Sequence, residues 1–228
     1  MKILALSGFL GLPQDWEFLQ WPHLISVDGQ AFSGNSLADW GKAFNQWTNK
    51  HYPDAHILMG YSLGGRLALH ALIDQPQRWL AAIIISAHPG LADPQERAKR
   101  WQQDQKWAKR FESENWKNLM EAWNTQEVFA GDSFKFERQK TDYQRHNLVK
   151  ILLQGSLGKQ ADLRQQIAAL PIPLLWITGS QDERYCRMAQ SLTFAHPHSC
   201  WKQIAQAGHR VPWSQPHVFS EIVTTFFI

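Results

Sequence analysis

At 228 residues, 44% hydrophobic and 19% charged, the chain carries enough apolar material for one well-buried core, and it has neither a disordered nor a low-complexity composition. Its net charge of +3 comes from 23 Lys+Arg against 20 Asp+Glu with no block of like charges, which argues against a nucleic-acid partner. The longest wholly apolar run, Leu80–Ile85, is far short of a bilayer span, so no membrane segment is expected.

Met1–Leu12 starts like a secretory leader, with Lys2 ahead of apolar residues. Ser7, Gly8 and Gly11 interrupt it, and no small-x-small cleavage pattern precedes Pro13-Gln14-Asp15-Trp16. The expectation is therefore a cytoplasmic protein. Cys186 and Cys200 have neither metal nor redox spacing. Nothing in the sequence selects an assembly, and a monomer or weak homodimer is expected.

Lys2–Leu6 reads as a buried strand ending at Ser7-Gly8, and His23–Asp28 as a second. Leu37, Trp40, Ala43, Phe44 and Trp47 recur at helical spacing over Leu37–Tyr52, and Pro53 ends that helix. His56–Tyr61 is a third strand, Leu63–Asp74 a helix stopping before Pro76, and Trp79–Ser86 a β-branched fourth strand. Pro173–Gly179 and Ser199–Ala205 are two more, and Gln215–Phe227 is a closing helix. Strand alternating with helix predicts an α/β fold, one domain over 1–228, with a mainly parallel sheet and helices on both faces.

The middle of the chain breaks that rhythm. Pro94–Glu114 is a long helical pattern, and further helices are predicted around Trp116–Trp123, Phe134–Gln144 and His146–Gly155. This reads as a helical cap inserted at about 89–165. From Pro89 to Arg164 there are 14 Lys+Arg against 11 Asp+Glu, so the whole positive surplus of the chain sits in the insert. A small anionic substrate accounts for a local surplus of that size.

Gly60-Tyr61-Ser62-Leu63-Gly64 is G-x-S-x-G placed between a predicted strand and a predicted helix, where a strained turn would expose the Ser62 hydroxyl. A serine needs a histidine to take its proton and a carboxylate to orient that histidine. Asp182, after the strand Leu174–Thr178, and His209, in Ala207-Gly208-His209 after the last strand, come in the order this arrangement requires. Ser7-Gly8-Phe9-Leu10-Gly11 follows the first strand and offers the Phe9 amide to an oxyanion; the Leu63 amide at the helix start offers a second donor. Arg66 lies one helical turn after Ser62, and a guanidinium so close to it calls for an anion. Arg97 and Arg100 have helical spacing in the cap and suit bidentate contacts with carboxylates. His196-Pro197-His198 lacks a third ligand at matching spacing, so no metal site is expected.

With these residues in place, the sequence resembles the α/β-hydrolase superfamily and, within it, the 2-succinyl-6-hydroxy-2,4-cyclohexadiene-1-carboxylate synthases. The resemblance runs through Gly60-Tyr61-Ser62-Leu63-Gly64-Gly65-Arg66, His88-Pro89-Gly90-Leu91, and Glu96-Arg97-Ala98-Lys99-Arg100 with Asp104, Trp107, Arg110 and Phe111. It continues through Trp123, Val128-Phe129-Ala130, Ser156-Leu157-Gly158 with Gln160, and Ala207-Gly208-His209. It implies a cofactor-free elimination of pyruvate in menaquinone biosynthesis, with Ser62, Asp182 and His209 as the triad and oxyanion donors at Phe9 and Leu63. It further implies substrate contacts at Tyr61, Arg66, Arg100 and Trp123, with Arg97 beside them. One more basic contact falls at Lys140 or at a neighbour, Arg138 or Arg145. The sequence departs from the family at Ser7-Gly8, where His-Gly is usual, and at Asp28-Gly29-Gln30-Ala31-Phe32-Ser33, where Asp-x-Pro-Gly-His-Gly is usual. A carboxylesterase or thioesterase would share the triad, and a non-catalytic binding protein would share the scaffold.

Overall fold

The computed structural model describes residues 2–29, 32 and 35–227. Of the departing Asp28–Ser33 stretch, Gln30, Ala31 and Ser33 lie outside the described residues. Six strands form one sheet: β1 (Ile3–Leu6), β2 (Leu24–Val27), β3 (His56–Tyr61), β4 (Trp79–Ile85), β5 (Leu174–Gly179) and β6 (Cys200–Ile204). Their order is β2-β1-β3-β4-β5-β6 and every pairing is parallel.

A parallel sheet must be covered on both faces, and the period-two alternation shows how. Leu4, Leu6, Leu58, Ala82, Ile84, Leu174 and Trp176 point to one face. There they pack against α1 (Leu37–His51) and α2 (Leu63–Asp74), through Trp40 and Phe44 of the first and Leu69 and Leu72 of the second. Ala5, Ile57, Met59, Ile83, Ile85, Leu175 and Ile177 point to the other. That face is covered by Trp16 and Leu19 of a 3-10 helix, Pro13–Leu19, and by Phe219 and Val223 of the closing helix.

Local signals set the helix limits. Ser36 caps α1 by accepting the Asp39 amide, and the Tyr52-Pro53 pair ends it. Gly41 lets α1 approach α2 closely, since a Cβ there would lie 2.8 Å from the His70 carbonyl carbon.

Between β4 and β5 the chain leaves the sheet to form α3 (Pro94–Ser113), α4 (Trp116–Asn124) and α5 (Arg145–Gln154), then returns through the short α6 (Arg164–Ala168). Asp93 caps α3 by accepting the Gln95 amide at 2.8 Å, with Pro94 at its first position. The insertion has an apolar cluster of its own, including Phe111, Leu119, Leu148 and Leu152, and this cluster takes in Phe9 and Leu10 from the loop after β1.

One predicted helix is not there. Phe134–Gln144 runs extended until a single 3-10 turn at Lys140–Asp142. Burial alternates strictly from Ser133 to Gln139, with Phe134, Phe136 and Arg138 half-buried and Lys135, Glu137 and Gln139 exposed. That is a strand-like period of two, which the tertiary contacts of an extended segment satisfy. The sequence reading also passed over the 3-10 helix at Pro13–Leu19 and α7 (Glu183–Gln190). The chain then closes with α8 (Val211–Ser214) and α9 (Pro216–Phe226). Among the described residues, no helix is long and apolar enough to cross a membrane.

Candidate active site

The chain runs from β1 outward to β2 and then back across to β3, so the strand order reverses between β1 and β3. At such a point the loops leaving the two strands diverge and open a crevice at the carboxyl edge of the sheet. Ser7–Gly11 and Ser62 occupy it.

Ser62 sits between β3 and α2 at φ 52° and ψ −113°, a left-handed conformation that is costly for serine. The turn is held because its amide donates to the Ile85 carbonyl at 2.8 Å. Its neighbours must be glycine. A Cβ at Gly60 would lie 2.5 Å from the Gly64 oxygen, and one at Gly64 would lie 2.3 Å from the Leu6 oxygen. A Cβ at Gly8 would meet Ser62 Cβ at 3.2 Å, so the loop after β1 rests directly against the serine.

His209 reaches across from the loop after β6, with Nε2 3.0 Å from Ser62 Oγ. Its Nδ1 is 2.7 Å from Asp182 Oδ2, and both side chains are buried. An ionised carboxylate only accepts, so Nδ1 carries the proton and Nε2 is left to accept from the Ser62 hydroxyl. Asp182 is also the N-cap of α7, where Oδ1 accepts the Tyr185 amide at 3.4 Å. One carboxylate therefore orients the imidazole and starts a helix.

The crevice holds two cavities on either side of the Phe9–Gly11 loop. The first is lined by Ser62, Tyr61, Phe9, Trp123, Phe129 and Trp213, with Arg138 and Arg210 at its polar wall. The second is lined by Leu63, Leu67, Leu12 and Ile151 together with Asp28. Burial pushes the Tyr61 phenol well above its ordinary pKa, so it is a neutral hydroxyl at pH 7.

The family model described as serine aminopeptidase, S33 matches residues 33–209. The chain belongs to the α/β-hydrolase family. Curated relatives include the 2-succinyl-6-hydroxy-2,4-cyclohexadiene-1-carboxylate synthase of Pectobacterium atrosepticum, 29% identical over 98% of this chain and 92% of that protein. The enzyme of that name from Klebsiella pneumoniae is 30% identical over 83% of this chain and 81% of its own length. Among solved structures, MenH from S. aureus superposes with a TM-score of 0.84 at 21% identity, covering 99% of this chain and 92% of that one.

In this α/β-hydrolase the other expected residues fall into three groups. Phe9, Tyr61 and Trp123 line the serine cavity, and Leu63 lines its neighbour. Arg66, Arg97 and Arg100 line neither. Arg66 is 7% exposed; its Nε donates to Gln160 Oε1 at 2.6 Å, while Nη2 is buried with no hydrogen-bond partner among the described residues. Burial and the neighbouring Arg100 charge pull its guanidinium down to about 9, which leaves it cationic at pH 7. Arg100 is aimed by Asp104, whose oxygens accept from its Nε at 2.9 and 3.0 Å while Ser156 Oγ donates to the same carboxylate. Arg97 donates to the Gly158 carbonyl at 3.3 Å. Lys140 is exposed in its 3-10 turn, and the basic residue of that stretch at the cavity is Arg138. Arg145 is turned to the Phe111 and Glu114 carbonyls.

Sequence reasoning did not single out Tyr185, whose ring packs edge-on against His209 at 4.8 Å, nor Asp132 and Arg210. Only the aromatic at the third position after the acid and the cation directly after His209 hinted at them. Ser7, standing where the family has histidine, accepts the Trp16 indole N–H at 2.9 Å and thereby ties the oxyanion-side loop to the 3-10 helix. Among the described residues, no three His, Cys, Asp or Glu are grouped to hold a metal ion; His196 Nδ1 instead accepts the His198 amide.

Proposed function

We propose that this enzyme is a lyase that eliminates pyruvate from 2-succinyl-5-enolpyruvyl-6-hydroxy-3-cyclohexene-1-carboxylate, the reaction of the synthases to which it is related. The observation that carries the reading is Arg66. A buried guanidinium with an idle Nη2, pressed by a second cation and one turn from Ser62, is unfavourable until an anion meets it. A substrate with three carboxylates supplies such an anion, and a neutral ester does not.

In this proposal Ser62, His209 and Asp182 work as a base. His209 Nε2 accepts the Ser62 proton, and the serine oxygen removes the acidic proton next to the succinyl carbonyl. The Phe9 and Leu63 amides receive the charge that develops on the carbonyl oxygen. The electron pair then forms the new ring double bond as the C–O bond to the enolpyruvyl group breaks. The proton held on His209 is available to the departing enolpyruvate, which becomes pyruvate. Asp182 stabilises the imidazolium throughout. Tyr61 and Trp123 shape the apolar wall beside the ring.

The test is pyruvate release from enzymatically prepared substrate, measured against a no-enzyme control because the substrate also decays unaided. Turnover well above that control, reduced by several orders of magnitude in both Ser62→Ala and His209→Ala, is expected. A folded Ser62→Ala that keeps the wild-type rate removes the proposal. Release no faster than the control, with hydrolysis of short nitrophenyl esters, makes the protein an esterase.

A further inference from the structure

A buried polar cluster that this mechanism leaves unused lies where the cap meets the loops of Asp182 and His209. Gly131-Asp132, from the cap, touches both. A Cβ at Gly131 would lie 2.7 Å from Gln181 Cβ and 2.9 Å from the Gln181 oxygen, one residue before Asp182. A Cβ at Gly208, one residue before His209, would lie 2.4 Å from Asp132 Oδ1 and 2.5 Å from the Gly131 carbonyl carbon. Only glycine permits either approach.

On the other side of His209, the Arg210 amide donates to Asp132 Oδ1 at 2.8 Å. The Arg210 guanidinium donates from Nη2 to Asn124 Oδ1 at 2.6 Å and from Nη1 to the Phe134 carbonyl at 3.1 Å, and Nε lies 3.6 Å from Asp132 Oδ2. It also stacks on Phe129 at 4.0 Å, whose ring meets His209 edge-on at 5.7 Å. The Asp132 carboxylate is 1% exposed. Asp132 Oδ2 accepts no hydrogen bond among the described residues, so the pair is held through Oδ1 and through the Asn124 and Phe134 acceptors of Arg210.

We propose that Asp132 and Arg210 are positioning residues: they pin the 124–136 stretch of the cap to the loops of Asp182 and His209, so that the seated cap sets the His209–Ser62 distance. Neither residue touches the reacting atoms in this role. Their effect is on the fraction of molecules in which Nε2 is in line to take the serine proton, and displacement of a reacting pair by about 1 Å is worth about 100-fold in rate. The inference rests on the reading of Ser62 as the reacting group. It is independent of which substrate Ser62 acts on.

The experiment follows the rate at which a fluorophosphonate labels Ser62 in the full chain, together with kcat and KM for pyruvate release, at least 15 °C below the Tm of each variant. Asp132→Ala is expected to slow labelling and kcat together, by about 30- to 100-fold, with KM within about 3-fold of wild type. Asp132→Asn keeps the oxygen that accepts the Arg210 amide and is expected to recover labelling to within about 5-fold. Wild-type labelling by Asp132→Ala overturns the inference, as does a rise in KM at unchanged kcat or an Asn variant no better than Ala. If Asp132→Ala does not fold, Asn124→Asp keeps an oxygen for Nη2, while Asn124→Ala removes that acceptor together with the Nδ2 donor to the Met120 carbonyl; labelling slowed by about 5-fold in Ala and restored in Asp supports the clamp, and an unchanged rate in Ala or an Asp variant no better than Ala overturns it. A wild-type chain that labels but releases no pyruvate removes the lyase proposal and leaves the clamp to be judged on labelling alone. A wild-type chain that does not label removes both.

Discussion

Arg66 sets fold against function within one side chain. Among the described residues its Nη2 has no hydrogen-bond partner, and the guanidinium donates to Gln160 through Nε. Replacing a buried, poorly paired ion with an apolar residue of similar size is often neutral or stabilising, whereas losing a buried contact to a ligand carboxylate costs about 2–5 kcal/mol. Arg66→Met is therefore expected to leave Tm unchanged or raise it while kcat/KM for the proposed anionic substrate falls by about 30- to 4000-fold. Thermal melts and steady-state kinetics on the same preparation check this. A Tm several degrees lower with kcat/KM retained would make Arg66 a structural residue and remove the main support for an anionic substrate. At this scale the sequence was most legible where chemistry is local. Ser62 and Arg66 share one helical turn, and Asp182 and His209 each follow a strand at the required edge of the sheet. Asp132 and Arg210 were not legible, because 78 positions separate them and neither belongs to a recurrent pattern.

Between elements, close backbone approach decides the geometry of the serine turn. An alanine is favoured over glycine inside a helix by about 1 kcal/mol, so Gly64→Ala in α2 would be stabilising if helix propensity were all that mattered. The added Cβ would sit 2.3 Å from the Leu6 oxygen and 2.5 Å from the Ser7 oxygen, both backbone atoms at the end of β1. Overpacking of that kind costs about 1–3 kcal/mol or more, which outweighs the propensity. Gly64→Ala is expected to lower Tm by about 3–10 °C and to slow fluorophosphonate labelling, because β1 and its oxyanion-side loop must shift. Gly29→Ala serves as the comparison, since its Cβ would meet nothing nearer than 3.4 Å. Equal Tm values for the two would show that the elbow has room to spare. The alternation of strands and helices could be read from periodicity because each element follows a single period over its length. Phe134–Gln144 departs from this, because a period of two inside an otherwise helical insertion reads as a helix from sequence and is extended in the fold. That extended run carries Phe136 and Arg138 to the cavity, and Arg138 closes a two-pronged ion pair with Asp15 at 2.7 and 2.6 Å.

Over the whole molecule, the positive charge gathered around Arg66 also shapes the response to acid. Burial holds His88 down to about 3, with Arg66, Arg184, Arg164 and Arg100 adding to the effect; burial and Arg66 hold His70 down to about 4. In the unfolded chain both titrate near 6.5. Above that value neither group contributes a pH dependence. As pH falls from 6.5 toward 4 the unfolded state binds protons that the folded state refuses, so stability is lost progressively through that window. Each such group gives a slope approaching about 1.4 kcal/mol per pH unit, and His88, at 6% exposure, is the cleaner of the two. His88 Nδ1 accepts the Gly90 amide, and an asparagine oxygen can replace it without bringing a titrating group. His88→Asn is therefore expected to flatten the fall in stability between pH 6.5 and 4 by about one proton while changing little at pH 8. Denaturant unfolding across that range measures the slope directly. Because the Arg66 charge acts on both histidines, Arg66→Met should also shallow the acid limb, and its effect should shrink when His88 is already asparagine. Strict additivity of the two substitutions would mean that the histidines are depressed by burial alone, with no share owed to Arg66.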